Sequence, residues 1–233
     1  MLSKKGVALV IANAEYISQQ RLKSCKKDGE DMRKVLERLN FDVFFAADQS
    51  RTELLKTISD FLINADLYST VLLYYTGHGV QIDGENYFVP VDCVYKPHKA
   101  IFIASQLVGI KVVQDYMDEH PEKNNIMILD ACRSNPGFSR DIVGSGLAEI
   151  KAGSGTFIAF ATAPNTTAGC AADETGNGFY TECLLRHIEQ PNIKIEDMFK
   201  EVRKDVVSLT KGAQTPWEST SLKTDFYFNV MTR

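Results

Sequence analysis

The chain has little of what would mark a secreted, membrane-spanning or nucleic-acid-binding protein. Its five cysteines, Cys25, Cys93, Cys132, Cys170 and Cys183, are odd in number and widely spaced across 233 residues, and no C-x-x-C occurs. That pattern supports neither a disulfide framework nor a structural zinc site, and a reducing, cytoplasmic setting is the expectation. No apolar run approaches the roughly 20 residues that a bilayer span needs. The stretch from Val7 to Ala12 is too short for the apolar region of a signal peptide, and no small-residue cleavage site follows it. A net charge of -4 leaves no concentrated basic face, which argues against nucleic acid or a membrane surface as the main partner. Repeats and low-complexity segments are absent as well.

What is present is ordinary globular material, 44% hydrophobic and 24% charged. A single domain over 1–233 is the default expectation at this length. Apolar strands alternate with amphipathic helices. Strand-like runs cover Gly6 to Ala12, Phe41 to Ala47, Thr70 to Tyr75, Asn125 to Asp130, Thr156 to Thr162 and Thr224 to Asn229. Helical spacing covers Lys26 to Leu39, Thr52 to Ala65, Val108 to Glu119, Phe179 to Ile188 and Ile195 to Leu209. An Asp83-Gly84 turn inside Gln81 to Pro90 reads as a small hairpin. Ser139 to Gly155, rich in Gly and Ser, reads as a mobile loop. The alternation implies a mainly parallel sheet with helices on both faces, and such sheets bind ligands beyond the carboxyl ends of their strands.

Two residues at strand ends carry chemistry. His78 lies between glycines in Tyr75-Thr76-Gly77-His78-Gly79, and Cys132 closes Ile128-Leu129-Asp130-Ala131-Cys132-Arg133. A thiol becomes a useful nucleophile as thiolate, which a neighbouring imidazole promotes, and the same imidazole can protonate a leaving amine. The main-chain N–H groups of Gly79 and Cys132, read as lying on exposed turns, are the natural donors for an oxyanion. Alone, either residue has a plainer reading. Most cysteines outside disulfides are small buried hydrophobes, and most histidines are structural.

Together with Tyr87-Phe88-Val89-Pro90-Val91-Asp92, these segments resemble the caspase-like cysteine proteases, closest to paracaspases and bacterial caspase-like relatives, with metacaspases next. His78 precedes Cys132 by roughly 50 residues, the separation known from caspases. The resemblance runs from Val7-Ala8-Leu9-Val10-Ile11-Ala12-Asn13 to Gln214-Thr215-Pro216-Trp217. It implies a three-layer α/β/α sandwich around a mainly parallel sheet of about six strands, and cleavage through a Cys–His dyad and a thioester.

The resemblance also speaks to specificity. Caspases carry glutamine two places before the nucleophile and cut after aspartate. Here Asp130 stands there, as in paracaspases and metacaspases, which cut after Arg or Lys. A carboxylate pairs with a guanidinium or ammonium, best as a bidentate contact with Arg. Asp28 matches the position of a second acid, although an acidic residue near a helix start also favours the helix dipole. A third acid, which paracaspases can carry after the strand at Thr156 to Thr162, is missing from Ala163-Pro164-Asn165-Thr166-Thr167-Ala168. Ala161, Thr162 and Ala163 are expected to pair with substrate as an added strand. Arg140 and Lys151, in the loop after the nucleophile, would suit autoprocessing.

No metal motif or cofactor is implied. Some metacaspases require calcium, but no calcium-loop pattern is present. The expected partner is a polypeptide with Arg or Lys at the cleaved position, and the family allows a homodimer and an activating protein. The alternative is an inactive caspase-like scaffold, though such proteins usually lose the histidine or cysteine. A legumain-like or gingipain-like enzyme or an acyl transferase on a similar sheet is a third reading.

Overall fold

The computed structural model describes residues 4–94, 100–132, 147–163 and 176–231. Seven consecutive buried residues, Gly6–Ala12, form β1, which lies inside a sheet ordered β2-β1-β3-β6-β7-β8. The other strands are β2 (Phe41–Ala47), β3 (Thr70–Ile82), β6 (Asn124–Cys132), β7 (Thr156–Phe160) and β8 (Trp217–Thr220). All neighbours in that order are parallel except β7 and β8. From β1 the chain moves to β2 on one side and then returns to build β3, β6 and β7 on the other. This reversal opens a crevice at the carboxyl ends of β1 and β3, where open α/β sheets bind ligands.

Alternating side chains feed two cores. On one face Ala8, Val10, Leu72, Tyr74, Ile126 and Ile128 pack with α1 (Lys23–Arg38), α5 (Phe179–His187) and α6 (Ile195–Leu209). On the other face Val7, Leu9, Ile11, Leu73, Met127 and Leu129 meet α2 (Arg51–Ala65) and α4 (Lys111–Glu119). The expected three-layer sandwich with six main strands is thus the observed one. Helix α1 approaches β1 closely because Gly29 faces Ala12. A Cβ at Gly29 would lie 2.4 Å from that of Ala12. The approach carries Asp28 to the end of the sheet.

Several boundaries differ from the expectation, each for a physical reason. β3 continues to Ile82 because the Asp83-Gly84 turn, with φ of 51° and 83°, folds the strand directly onto β4 (Glu85–Phe88). Val108–Gly109 is a short strand, β5, paired with β4, so α4 begins only at Lys111. A short helix, α3, spans Ala100–Ala104. No strand forms over Thr224 to Asn229. Phe226 and Phe228 are buried there, but their main chain docks on the α5–α6 connection, where Phe226 O accepts from Ile195 N and Asn229 O from Asn192 N. The sheet edge is instead β8, where Trp217 pairs with Phe160. Of the loop expected over Ser139 to Gly155, the described part is pinned. Leu147 and Ile150 are buried, and the Asn86 side chain bonds both the N–H and the carbonyl of Ala148.

Candidate active site

Strands β3 and β6 run in parallel register with Thr76 opposite Asp130, Gly77 opposite Ala131 and His78 opposite Cys132. Neighbouring strands lie about 4.8 Å apart, so the histidine and the cysteine stand side by side at the carboxyl edge. Cys132 closes β6 rather than lying on the exposed turn expected for it, and His78, expected just past a strand end, lies within β3. Gly79, the other oxyanion candidate, is buried in β3 opposite Phe88. A Cβ at Gly79 would come within 2.9 Å of Ala131 and 3.0 Å of Leu147.

His78 is buried and held from three sides by groups that the sequence did not single out. Its Nε2 lies 2.8 Å from the carbonyl oxygen of Gln20. A carbonyl only accepts, so Nε2 carries the proton and the lone pair of the neutral ring sits on Nδ1. The ring of Tyr16 lies against the imidazole at a centroid distance of 4.5 Å. The two tyrosines bracket the main chain. The His78 N–H donates to the Tyr16 hydroxyl at 2.7 Å, Tyr16 donates to Tyr75, and Tyr75 donates to the His78 carbonyl at 2.5 Å. The bracket requires Gly77. At its φ of 154° a side chain is disfavoured, and a Cβ would lie 2.7 Å and 2.8 Å from the two hydroxyls.

Asp28 and Asp130 converge beside this pair. Asp28 is 1% exposed and Asp130 6%. Asp28 accepts from the Asn177 amide at 3.0 Å and from the Gly178 N–H at 2.9 Å. Asp130 accepts from the Thr181 hydroxyl at 2.7 Å and from the Thr181 main chain. A Cβ on Gly178 would sit 3.1 Å from Asp28 Oδ2 and 3.7 Å from Asp130 Oδ2, so the room between the acids is kept by a glycine. Among the described residues, neither acid forms an ion pair. Burial pushes the Asp28 carboxyl up to about 8, with the charge of Asp130 adding to it. Burial likewise pushes Asp130 up to about 6. Two buried carboxyls with no cation paired to them among the described residues make a site that would gain from a positive guest.

A family model described as the caspase domain matches residues 5–227. The chain belongs to the caspase-domain family. It is 27% identical over 216 residues to the mouse and human forms of mucosa-associated lymphoid tissue lymphoma translocation protein 1. That match covers 91% of this chain and 25% of each relative, so the chain spans about a quarter of their length. The crystal structure of the Drosophila initiator caspase Dronc superposes with a TM-score of 0.67 at 16% identity, over 97% of this chain and 85% of that one. The caspase-domain family and the caspase fold therefore stand as the resemblance implied.

Within this caspase fold the remaining expected residues separate. Ala161 follows β7 directly, and its main chain is occupied on both sides, its N–H donating to Leu129 O and its carbonyl accepting from the Gln214 amide at 2.8 Å. These contacts engage both main-chain groups that Ala161 would offer to an added strand. Lys151 is exposed just beyond buried Ile150. Arg140 and the segment 164–168, where a third acid was sought, lie outside the described residues. Among the described residues, no group of three or more His, Cys, Asp or Glu is placed to hold a metal ion, and no helix is long and apolar enough to cross a membrane. Tyr16, Gln20, Asn177, Gly178 and Thr181 went unread in the sequence. The one available signal was the Gly178 that precedes the apolar run of α5, a helix without a cap of its own.

Proposed function

We propose that this chain is a cysteine endopeptidase that hydrolyses peptide bonds after Arg, and after Lys more weakly, with His78 and Cys132 as the catalytic pair. The observation carrying the reading is the register of β3 on β6, which sets His78 beside Cys132 and leaves the Asp130 carboxyl two residues away. Membership of a cysteine peptidase family implies a polypeptide substrate. In this reading His78 Nδ1 takes the Cys132 proton, and the thiolate attacks the scissile carbonyl. The main-chain N–H groups of Gly79 and Cys132 receive the oxyanion. The amine then leaves with the proton from His78, and water hydrolyses the thioester through the same base. The Gln20 carbonyl keeps the ring in the tautomer this sequence needs and supports the imidazolium formed on the way.

Asp28 and Asp130 form the floor of the primary pocket. A guanidinium can bond both carboxylates at once, whereas an ammonium meets them as a point charge, hence the preference for Arg. A cytoplasmic setting, a homodimer and an activating protein remain part of the proposal. Fluorogenic peptides that differ only in Arg, Lys or Asp at the cleaved position test it, with and without calcium. Cleavage after Arg exceeding Lys, none after Asp and none by Cys132→Ala is the expected result. Turnover surviving Cys132→Ala would refute the mechanism, and equal cleavage after Asp the specificity.

A further inference from the structure

The first turn of α5 reaches into the acid pair, and its contacts with Asp130 form a directed chain. Thr181 and Tyr74 are both fully buried. Thr181 Oγ1 donates to Asp130 Oδ2 at 2.7 Å, and the Tyr74 hydroxyl lies 2.5 Å from Thr181 Oγ1. A threonine hydroxyl has one proton. Since Asp130 takes it, the hydroxyl of Tyr74 must donate to Thr181. Tyr74 is well placed to remain a donor, because burial beside Asp28 and Asp130 holds its phenol protonated. The order Tyr74 to Thr181 to Asp130 thus ends on a carboxylate acceptor. With the Thr181 N–H as well, Asp130 is fixed by two donors from one residue.

The same helix serves Asp28 differently. Gly178 is the N-cap of α5 and offers no side chain, so Asp28 and Asp130 supply from other elements the acceptors that a capping residue would bring. Capping needs one acceptor per N–H and does not need a hydroxyl relay. The Thr181 hydroxyl and the Tyr74 phenol go beyond it, and both act on the acid nearer Cys132.

We propose that Thr181, backed by Tyr74, is the residue that orients the Asp130 carboxylate for a cationic side chain and so sets the strength of basic selectivity. The proposal rests on the reading of Asp28 and Asp130 as the pocket floor. Among the described residues, the other titratable groups facing Asp130 are Asp28 from α1 and Tyr180 from α5. Without the relay, Asp130 loses one of its two donors and holds its proton to higher pH.

The test compares wild type, Thr181→Val, Thr181→Ser and Tyr74→Phe in two assays across pH 5 to 9. One is cleavage of an Arg peptide, and the other is binding of benzamidinium, a catalysis-independent cation. Thr181→Val keeps the shape and loses the hydroxyl. Its KM for the Arg peptide and its Kd for benzamidinium are expected to rise roughly tenfold with kcat held. The rising limb of the pH profile should move to higher pH. Thr181→Ser should restore both, and Tyr74→Phe should fall between. A Val variant that matches wild type overturns the proposal, as does a Ser variant no better than Val. Thermal melting identifies an unfolded Val variant, in which case Tyr74→Phe and Thr181→Ser decide alone. A wild type that binds benzamidinium no better than benzyl alcohol overturns the pocket reading itself, and the proposal with it.

Discussion

A methyl group on Gly77 would collide with the hydroxyls of both Tyr75 and Tyr16, the two groups that hold the main chain of His78. Gly77→Ala should therefore lower kcat/KM by at least about tenfold and cost about 1–3 kcal/mol of stability, read by peptide hydrolysis and urea unfolding. Wild-type values for both would remove the bracket from the account of His78. The acid pair makes a prediction of opposite sign for folding and for binding. Both carboxyls are raised in the folded protein, Asp28 to about 8 from 3.8, whereas the unfolded chain ionises them near the ordinary value. Above about pH 4 the folded pocket keeps protons that the unfolded chain has released, so this pair erodes stability as pH climbs toward about 8. Affinity for a cation rises over the same window as the pocket ionises. Asp28→Asn should accordingly be more stable than wild type at pH 8, by roughly 1 kcal/mol or more, and no more stable at pH 4, while losing Arg cleavage. Paired thermal melts at the two pH values check the first part. A variant less stable than wild type at pH 8 would contradict it.

Elements are held in register by buried polar groups as much as by apolar faces. Lys123, just before β6, donates to the carbonyls of Ala65, Asp66 and Tyr68 and so closes the open end of α2. Lys123→Met should take that donor from the Asp66 and Tyr68 carbonyls, leave Ala65 O with only the Tyr68 N–H, and cost about 1–3 kcal/mol by denaturant melting, with little change in kcat. At the other end of α2, Ser50 and Glu53 form a capping box that the sequence displays openly as Ser-x-x-Glu. The strands β1, β2, β6 and β7 were equally legible, because their apolar runs are continuous and end at turn residues. The helices α1, α2, α5 and α6 were legible from spacing. Less legible were the elements whose identity depends on a partner. Val108–Gly109 is a strand only because β4 is beside it, and Phe226 with Phe228 alternates like a strand yet lies on helices. Local pattern carries burial, but it does not say against what.

At the scale of the molecule, the chemistry collects where separated stretches of chain meet. The loop after β1 supplies Tyr16 and Gln20, α1 supplies Asp28, β3 and β6 supply His78, Asp130 and Cys132, and the start of α5 with Asn177 before it supplies donors to the acids. His78, Cys132 and Asp130 could be read from motifs because each sits at a strand end with a distinctive neighbour. Tyr16, Gln20 and Thr181 could not, because a main-chain carbonyl and a hydroxyl leave no mark in sequence until the fold brings them across. Lys5 presents a further long-range contact, at the opposite end of β1 from this site. Its ammonium donates to the carbonyls of Tyr227 and of Phe228, the latter at 2.6 Å, and lies over the ring of Phe226. Residues 5 and 228 thereby share one corner, roughly 20 Å of strand away from His78. One lysine thus fastens the start of β1 to the stretch that follows β8, and it does so at the end of the sheet away from the strand ends where His78 and Cys132 stand.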